Sequence, residues 1–157
     1  MLIYLDTNVY QRPFNDQTQS RIRREALAFI EILAAVESKQ TELLGSEILE
    51  FEIEQIPEKE LRARVKSYLK LCAQILHATE QQLKIAQQLE NECGFKGRDA
   101  LHIAAACAGK ASYFVTCDER IVRHLACGRD VTRENGFAVE LMRPEQFIAR
   151  LKTDKEK

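Results

Sequence analysis

Leu2-Ile3-Tyr4-Leu5-Asp6-Thr7-Asn8 sets four apolar residues directly before three polar ones. A short unbroken apolar run fits a strand buried on both faces, as in a parallel sheet, and here it emerges into a polar loop. The pattern returns in Ser112-Tyr113-Phe114-Val115-Thr116, which leads into Cys117-Asp118. Ligands of open α/β sheets bind beyond the carboxyl ends of the strands. If these two strands are neighbours, Asp6 and Asp118 project into one crevice.

The segments between them alternate in kind. Gln11-Arg12-Pro13-Phe14-Asn15-Asp16 carries turn signals and reads as a loop. From Ser20 to Ser38, Ile22, Ala26, Phe29, Ile30, Leu33 and Val36 recur at the spacing of an amphipathic helix. Leu43-Leu44 ends a second strand, and Ser46 caps a helix that Pro57 stops. Residues 58–73 form a charged helix with Leu61, Val65, Tyr68, Leu69 and Cys72 inward, and Ile75-Leu76-His77 is a third strand. Thr79 caps a helix over 80–92, closed by Gly94. An Ala-rich helix runs from Asp99 through Gly109; after Asp118 come a short helix and a loop over 127–136. Val139 to Met142 is the last strand, and Pro144 opens the final helix. Strands alternating with helices predict an α/β fold, a central mostly parallel sheet between two helical layers. One domain is expected over residues 1–150, followed by a charged, frayed tail over 151–157.

At 157 residues the chain is long enough to bury a sizeable core. Its 23 basic and 24 acidic residues leave a net charge of −1, which excludes a protein holding nucleic acid by bulk basic charge. A nucleic-acid substrate would need bound cations or local arginine clusters. The cysteines at 72, 93, 107, 117 and 127 form no CxxC pair and are odd in number. We read all five as free thiols in a reducing compartment. The early Asp6 argues against a signal peptide, and no apolar run approaches the ~20 residues of a membrane span, so the expected location is cytoplasmic.

Two carboxylates brought together repel unless a cation or proton resolves them, and hard divalent ions prefer such oxygen ligands. Asp99 opens a helix whose small residues Ala100, Ala104, Ala105, Ala106 and Ala108 let it approach the sheet, drawing the acid toward the crevice. The alternative for each acid is a helix cap or dipole partner. A fourth acid comes from Glu47, Glu50, Glu52 or Glu54. At about 100° per residue, Ile48, Leu49, Phe51, Ile53 and Ile56 define one apolar arc with Glu52 near its middle and Glu50 opposite. A carboxylate in a buried arc needs a partner, so Glu52 is chosen over Glu50.

Leu5-Asp6-Thr7-Asn8, Ser46 with Glu52-Ile53, Asp99-Ala100-Leu101-His102-Ile103-Ala104 and Thr116-Cys117-Asp118 together resemble the acidic quartet of PIN-domain proteins, in its usual order. The resemblance spans residue 2 to about residue 147. It implies a three-layer α/β/α fold, Mg²⁺ or Mn²⁺ held by Asp6, Glu52, Asp99 and Asp118, and two-metal-style hydrolysis of RNA. Thr7, Asn8 and Thr116 would orient the carboxylates or bound waters, or else serve as turn and cap formers. Many bacterial members are VapC-like toxins, paired with an antitoxin protein and forming homodimers. Two features depart from a compact toxin: extra helical sequence over 57–75 and the Gln11–Gln17 loop.

Other residues carry less. His102, one turn after Asp99, is either at the site or packed in the core. Arg12, Arg21, Arg23 and Arg24 are candidates for phosphate contacts, or a solvated helix face. His77 and His124 have no pattern around them, and no Gly-rich phosphate loop is present. Two further function classes compete: a catalytically silent module of the same fold that binds RNA or protein, and a phosphatase built on Asp6. Phosphatases of the haloacid dehalogenase type need a second Asp two residues on, where this chain has Asn8.

Overall fold

A computed structural model describes residues 1–157. The elements in order are β1 (Leu2–Leu5), α1 (Thr7–Gln11), α2 (Ser20–Glu37), β2 (Glu42–Ser46), α3 (Glu47–Glu54), α4 (Lys59–Tyr68), β3 (Cys72–Leu76), α5 (Glu80–Cys93), α6 (Gly97–Ala108), β4 (Tyr113–Val115), α7 (Glu119–Val122), α8 (Leu125–Glu134), β5 (Glu140–Met142) and α9 (Pro144–Lys155). The five strands form one sheet in the order β3-β2-β1-β4-β5, and every pairing is parallel.

β1 lies at the centre because it can tolerate no water on either face: Ile3, Tyr4 and Leu5 are each 0% exposed. Tyr4 is in register with Leu44 of β2 and Phe114 of β4. Its ring stacks on Phe114 at 5.7 Å on the side where Tyr4 meets His102 of α6. The preceding residue of β4, Tyr113, packs instead on Phe147 of α9 at 5.4 Å. Successive strand residues point to opposite faces, so α6 and α9 cover the sheet from opposite sides. α2 packs with α9 in one layer, and α5 packs with α6 and α8 in the other. The three-layer architecture expected from the sequence is thereby realised.

Several boundaries differ, each for a physical reason. Asp6 leads into α1 rather than a loop, because its carboxylate accepts the Thr7 N–H and starts a helix. Arg12–Phe14 form a 3-10 turn with Pro13 inside it, where a missing N–H costs nothing. α4 ends at Tyr68, and β3 begins at Cys72, three residues before the expected start. Residues 125–134 are helical although Gly128 suggested a loop. A Cβ at Gly128 would stand 3.2 Å from Leu141 Cδ2, so the glycine lets α8 sit close on β5. Along α2 the buried stripe is Glu25, Ala26, Ala28, Phe29, Ile32 and Ala35, whereas Ile30 is exposed. α9 runs through Lys155, into the segment expected to fray, although residues 152–157 are exposed.

The two unusual segments meet. Tyr68, closing α4, packs edge-on against Phe29 of α2 at 5.2 Å and also faces Phe14 of the 3-10 turn and Tyr10 of α1, each at 6.4 Å. Aromatic pairs at these separations contribute about 0.5–1.5 kcal/mol beyond area burial.

The cysteine expectation is corrected for two residues. Cys93, ending α5, and Cys127, in the first turn of α8, form a disulfide with Cα atoms 5.7 Å apart. Close packing of α5 on α8 brings them within bridging range, which a separation of 34 residues hides in the sequence. Cys72, Cys107 and Cys117 are free thiols. No helix is long and apolar enough to cross a membrane.

Candidate active site

β1 and β4 are hydrogen-bonded neighbours, so their carboxyl ends open side by side. Asp6 N–H donates to Val115 carbonyl at 2.9 Å, the last rung before the chains part. The Asp6 carboxylate is buried and held from three directions. Thr7 N–H donates to Oδ1 at 2.8 Å; Thr116 hydroxyl and Asn8 amide donate to Oδ2 at 2.8 and 3.1 Å. The Thr116 hydroxyl also accepts the Asp118 N–H at 3.0 Å, and Asn8 Oδ1 accepts the Cys117 N–H at 3.0 Å. Thr116 and Asn8 thus each tie Asp6 to the Asp118 loop.

Glu52 reaches the same place from α3. Its Oε1 accepts the Thr7 hydroxyl at 2.9 Å and meets His102 Nε2. The other ring nitrogen, Nδ1, lies 2.6 Å from the Tyr4 hydroxyl, itself 2.6 Å from Ser46 Oγ. Ser46 caps α3 by accepting the Leu49 N–H at 3.3 Å. These groups are satisfied when His102 donates to Glu52 and to Tyr4 and Tyr4 donates to Ser46, and equally when a neutral His102 donates to Glu52 and accepts from Tyr4, with Ser46 donating to Tyr4. The cap that starts α3 and the histidine facing its acid therefore belong to one buried chain. Glu50, Glu47 and Glu54 are exposed on the other sides of the helix.

Asp99 and Asp118 line the same cleft, a space of about 610 Å³ with no apolar side chain in its lining. Asp118 caps α7 and pairs with Arg120 at 3.1 Å. The closest cluster of potential metal-binding atoms is Asp6, Glu52 and His102, all within 4.8 Å of one another. Asp99 and Asp118 share the cleft without joining that cluster.

The charges are poorly balanced. Burial pushes the Asp6 carboxyl above its ordinary range, opposed by His102 and Thr116. Asp99 is pushed up to about 6 by burial and then by the charges of Asp6 and Asp118. For Asp118 burial also pushes upward, but the bonds from Arg120 outweigh it and hold the group below its usual value. Burial pulls His102 down, yet Glu52 and Asp6 prevail and raise it. Burial likewise raises Glu52, and His102 and Thr7 bring it below normal. An oxygen-rich donor set with an acid left partly protonated near neutrality fits a hard divalent cation, whose charge would resolve the repulsion.

Sequence reasoning left three features unassigned. His102 is at the site and buried, neither purely core nor merely adjacent. Lys96, Arg98 and Arg120 supply the basic lining of the cleft, the local cluster that a net charge of −1 demands of a nucleic-acid substrate. Arg12 and Arg21, considered for phosphate, are engaged elsewhere. Both flank the fully buried Glu25, at 3.5 and 2.9 Å from its Oε1. Arg21 also donates to the Cys117 carbonyl at 2.9 Å and pairs with Glu119 at 3.1 Å. Arg143 grips Glu119 through two bonds of 2.7 and 3.0 Å. The loop carrying Asp118 is thus clamped from α2 and α9. Arg23 and Arg24 are exposed; His77 pairs with Glu47, and His124 Nδ1 lies 2.9 Å from the Arg120 carbonyl.

A family model described as the PIN domain matches residues 3–125, a span that contains all four acids and His102. Among solved structures, a chain of VapBC2 from Rickettsia felis, crystallised bound to a DNA fragment from their promoter, is similar with a TM-score of 0.59 at 14% sequence identity. The similarity covers 91% of this chain and 98% of that one. At that identity the likeness speaks for the fold. No curated protein matches the chain.

Proposed function

Because this chain belongs to the PIN domain family, we propose that it is a divalent-metal-dependent ribonuclease, the VapC-like toxin of a toxin–antitoxin pair. PIN domains are generally nucleases. The observation that carries the reading is the convergence of Asp6, Glu52, Asp99 and Asp118, from four separate segments, on one polar cleft at the strand ends. Mg²⁺ or Mn²⁺ would be held by Asp6, Glu52, Asp99 and Asp118. Bound there, the ion supplies a water of lowered pKa and positive charge for the phosphate.

The chain's own residues do the rest. Thr7, Asn8 and Thr116 hold the Asp6 carboxylate in one orientation through three hydrogen bonds. Asn8 and Thr116 also keep the Asp118 loop in step with it. His102 holds Glu52 against the cleft and balances its charge. Lys96, Arg98 and Arg120 offer cations to the phosphates entering the cleft.

An antitoxin protein is the partner we assign, on the analogy of the two-component VapBC2 assembly; a homodimer in the cytoplasm completes the proposal. The deciding experiment incubates purified protein with RNA and Mn²⁺ or Mg²⁺. Cleavage abolished by EDTA and by Asp6→Asn is expected; robust cleavage in EDTA refutes the metal role. Absence of cleavage together with no heat of Mn²⁺ binding would leave a catalytically silent module.

A further inference from the structure

α3 buries Leu49 and Ile53, leaves Ile48 partly exposed and turns Phe51 outward. Leu49 and Ile53 are 0% exposed, while Phe51 is 51% exposed. Its ring was expected in the buried arc, yet it stands in water one residue from Glu52. A single exposed apolar side chain is ordinary, but this one is not alone. The Arg98 guanidinium carbon lies 5.6 Å from the ring centroid, and Arg98 Nη1 is 3.9 Å from Glu52 Oε2. Arg98 also lines the acidic cleft beside Lys96 and Asp99. A flat ring and a planar cation are therefore joined at the mouth of the site, within reach of the acids.

Resting on the ribonuclease reading, we propose that Phe51 and Arg98 form a stacking platform for an unpaired base adjoining the phosphate held at the acids. Two physical points favour this ligand. The net charge of −1 leaves little bulk attraction for a polyanion beyond the local cluster of Lys96, Arg98 and Arg120, so contacts to the bases add affinity that bulk charge does not supply. An aromatic face accepts any base, but only one that is not already stacked within a duplex. Arg98 serves twice, covering the ring and meeting the adjacent phosphate, as a planar guanidinium can.

The test exploits the absence of tryptophan from the chain. Phe51→Trp installs a sole indole at the platform, and its fluorescence is followed in Ca²⁺ against a short RNA, presented single-stranded or annealed to its complement. Quenching by the single strand and not by the duplex is expected. In Mn²⁺, Phe51→Ala should raise KM for single-stranded RNA about 5- to 150-fold with kcat little changed, the equivalent of about 1–3 kcal/mol per stacked base. Phe51→Tyr should restore it. Equal quenching by both forms, or Phe51→Ala cutting like the parent, overturns the platform; in the latter case, altered binding to a protein partner would reassign Phe51 to that contact. The fluorescence readout does not depend on cleavage, so quenching without turnover upholds the platform while refuting the nuclease. Turnover without a Phe51 effect does the reverse. Because Phe51 is half exposed, none of the three replacements leaves an enclosed void.

Discussion

Replacing Glu25 by Gln should destabilise the protein by about 3 kcal/mol. Glu25 is fully buried and faces two guanidinium groups, Arg12 at 3.5 Å and Arg21 at 2.9 Å. Removing one partner of a buried ion pair typically costs about 3–5 kcal/mol, because the remaining charge stays desolvated. The two arginines differ here. The Arg21 side chain is 41% exposed, so water and Glu119 can take over part of its charge. That of Arg12 is 15% exposed, its buried Nε has no hydrogen-bond partner and only its Nη1 reaches another group, Asn15 Oδ1 at 3.0 Å, so it has less escape. One stranded cation places the effect at the low end of the range. With a urea slope of about 2 kcal/mol per molar, the midpoint should fall by about 1.5 M. The Tm should fall by about 6–12 °C. Equilibrium urea unfolding monitored by circular dichroism reads both midpoint and slope. A functional consequence follows as well. Arg21 holds the carbonyl of Cys117, the residue before Asp118, so loosening it should weaken Mn²⁺ binding by calorimetry. A midpoint shift below about 0.5 M at unchanged slope would refute the reasoning, because the ion pair would then be no stronger than a solvated surface pair.

Other outcomes follow from the same geometry. Asp6→Asn should abolish Mn²⁺ binding, because the amide keeps one oxygen and sets a donor where the carboxylate accepts from Asn8 and Thr116; calorimetry showing parent-like affinity would contradict this. Asp99, pushed up to about 6, must release its proton for an ion to bind, so affinity for Mn²⁺ should be level above that pH and fall about tenfold per unit below it. Calorimetry across the range checks the sign, and affinity that rises on acidification would refute it. Thiol titration of the denatured, unreduced protein should find three reactive cysteines, Cys72, Cys107 and Cys117, and five after reduction. Reduction should cost about 4 kcal/mol of stability, the loop-closure value for a separation of 34 residues; five thiols before reduction would mean that no bridge forms.

How much the sequence discloses depends on whether a residue's role is local. β1 and β4 are legible because each writes its burial as a continuous apolar run and its exit as an acid. Glu52 is legible because helical periodicity sets it in an apolar arc. The same arithmetic misplaces Phe51, since it locates a residue on the helix but not the edge at which the buried arc stops. Glu25 is illegible for a related reason: an acid among Arg21, Arg23 and Arg24 looks like part of a solvated face, and its burial depends on Arg12 and the Cys117 loop arriving from elsewhere. His102 is visible as a neighbour of Asp99, but its bond to Glu52 joins residues 50 apart. The disulfide and the helicity of residues 125–134 likewise depend on which helices pack together. Local patterns disclose the sheet and the acids; partners that arrive from distant segments are beyond them.

The central position of β1 bears on when the site comes into being. Its acid, Asp6, precedes the hydroxyl that fixes it, that of Thr116, by 110 residues. On a ribosome the early strand must wait, its apolar side chains and one edge without their neighbour, until β4 has emerged beside it. The three hydrogen bonds that fix the Asp6 carboxylate are complete only once Thr116 has been added.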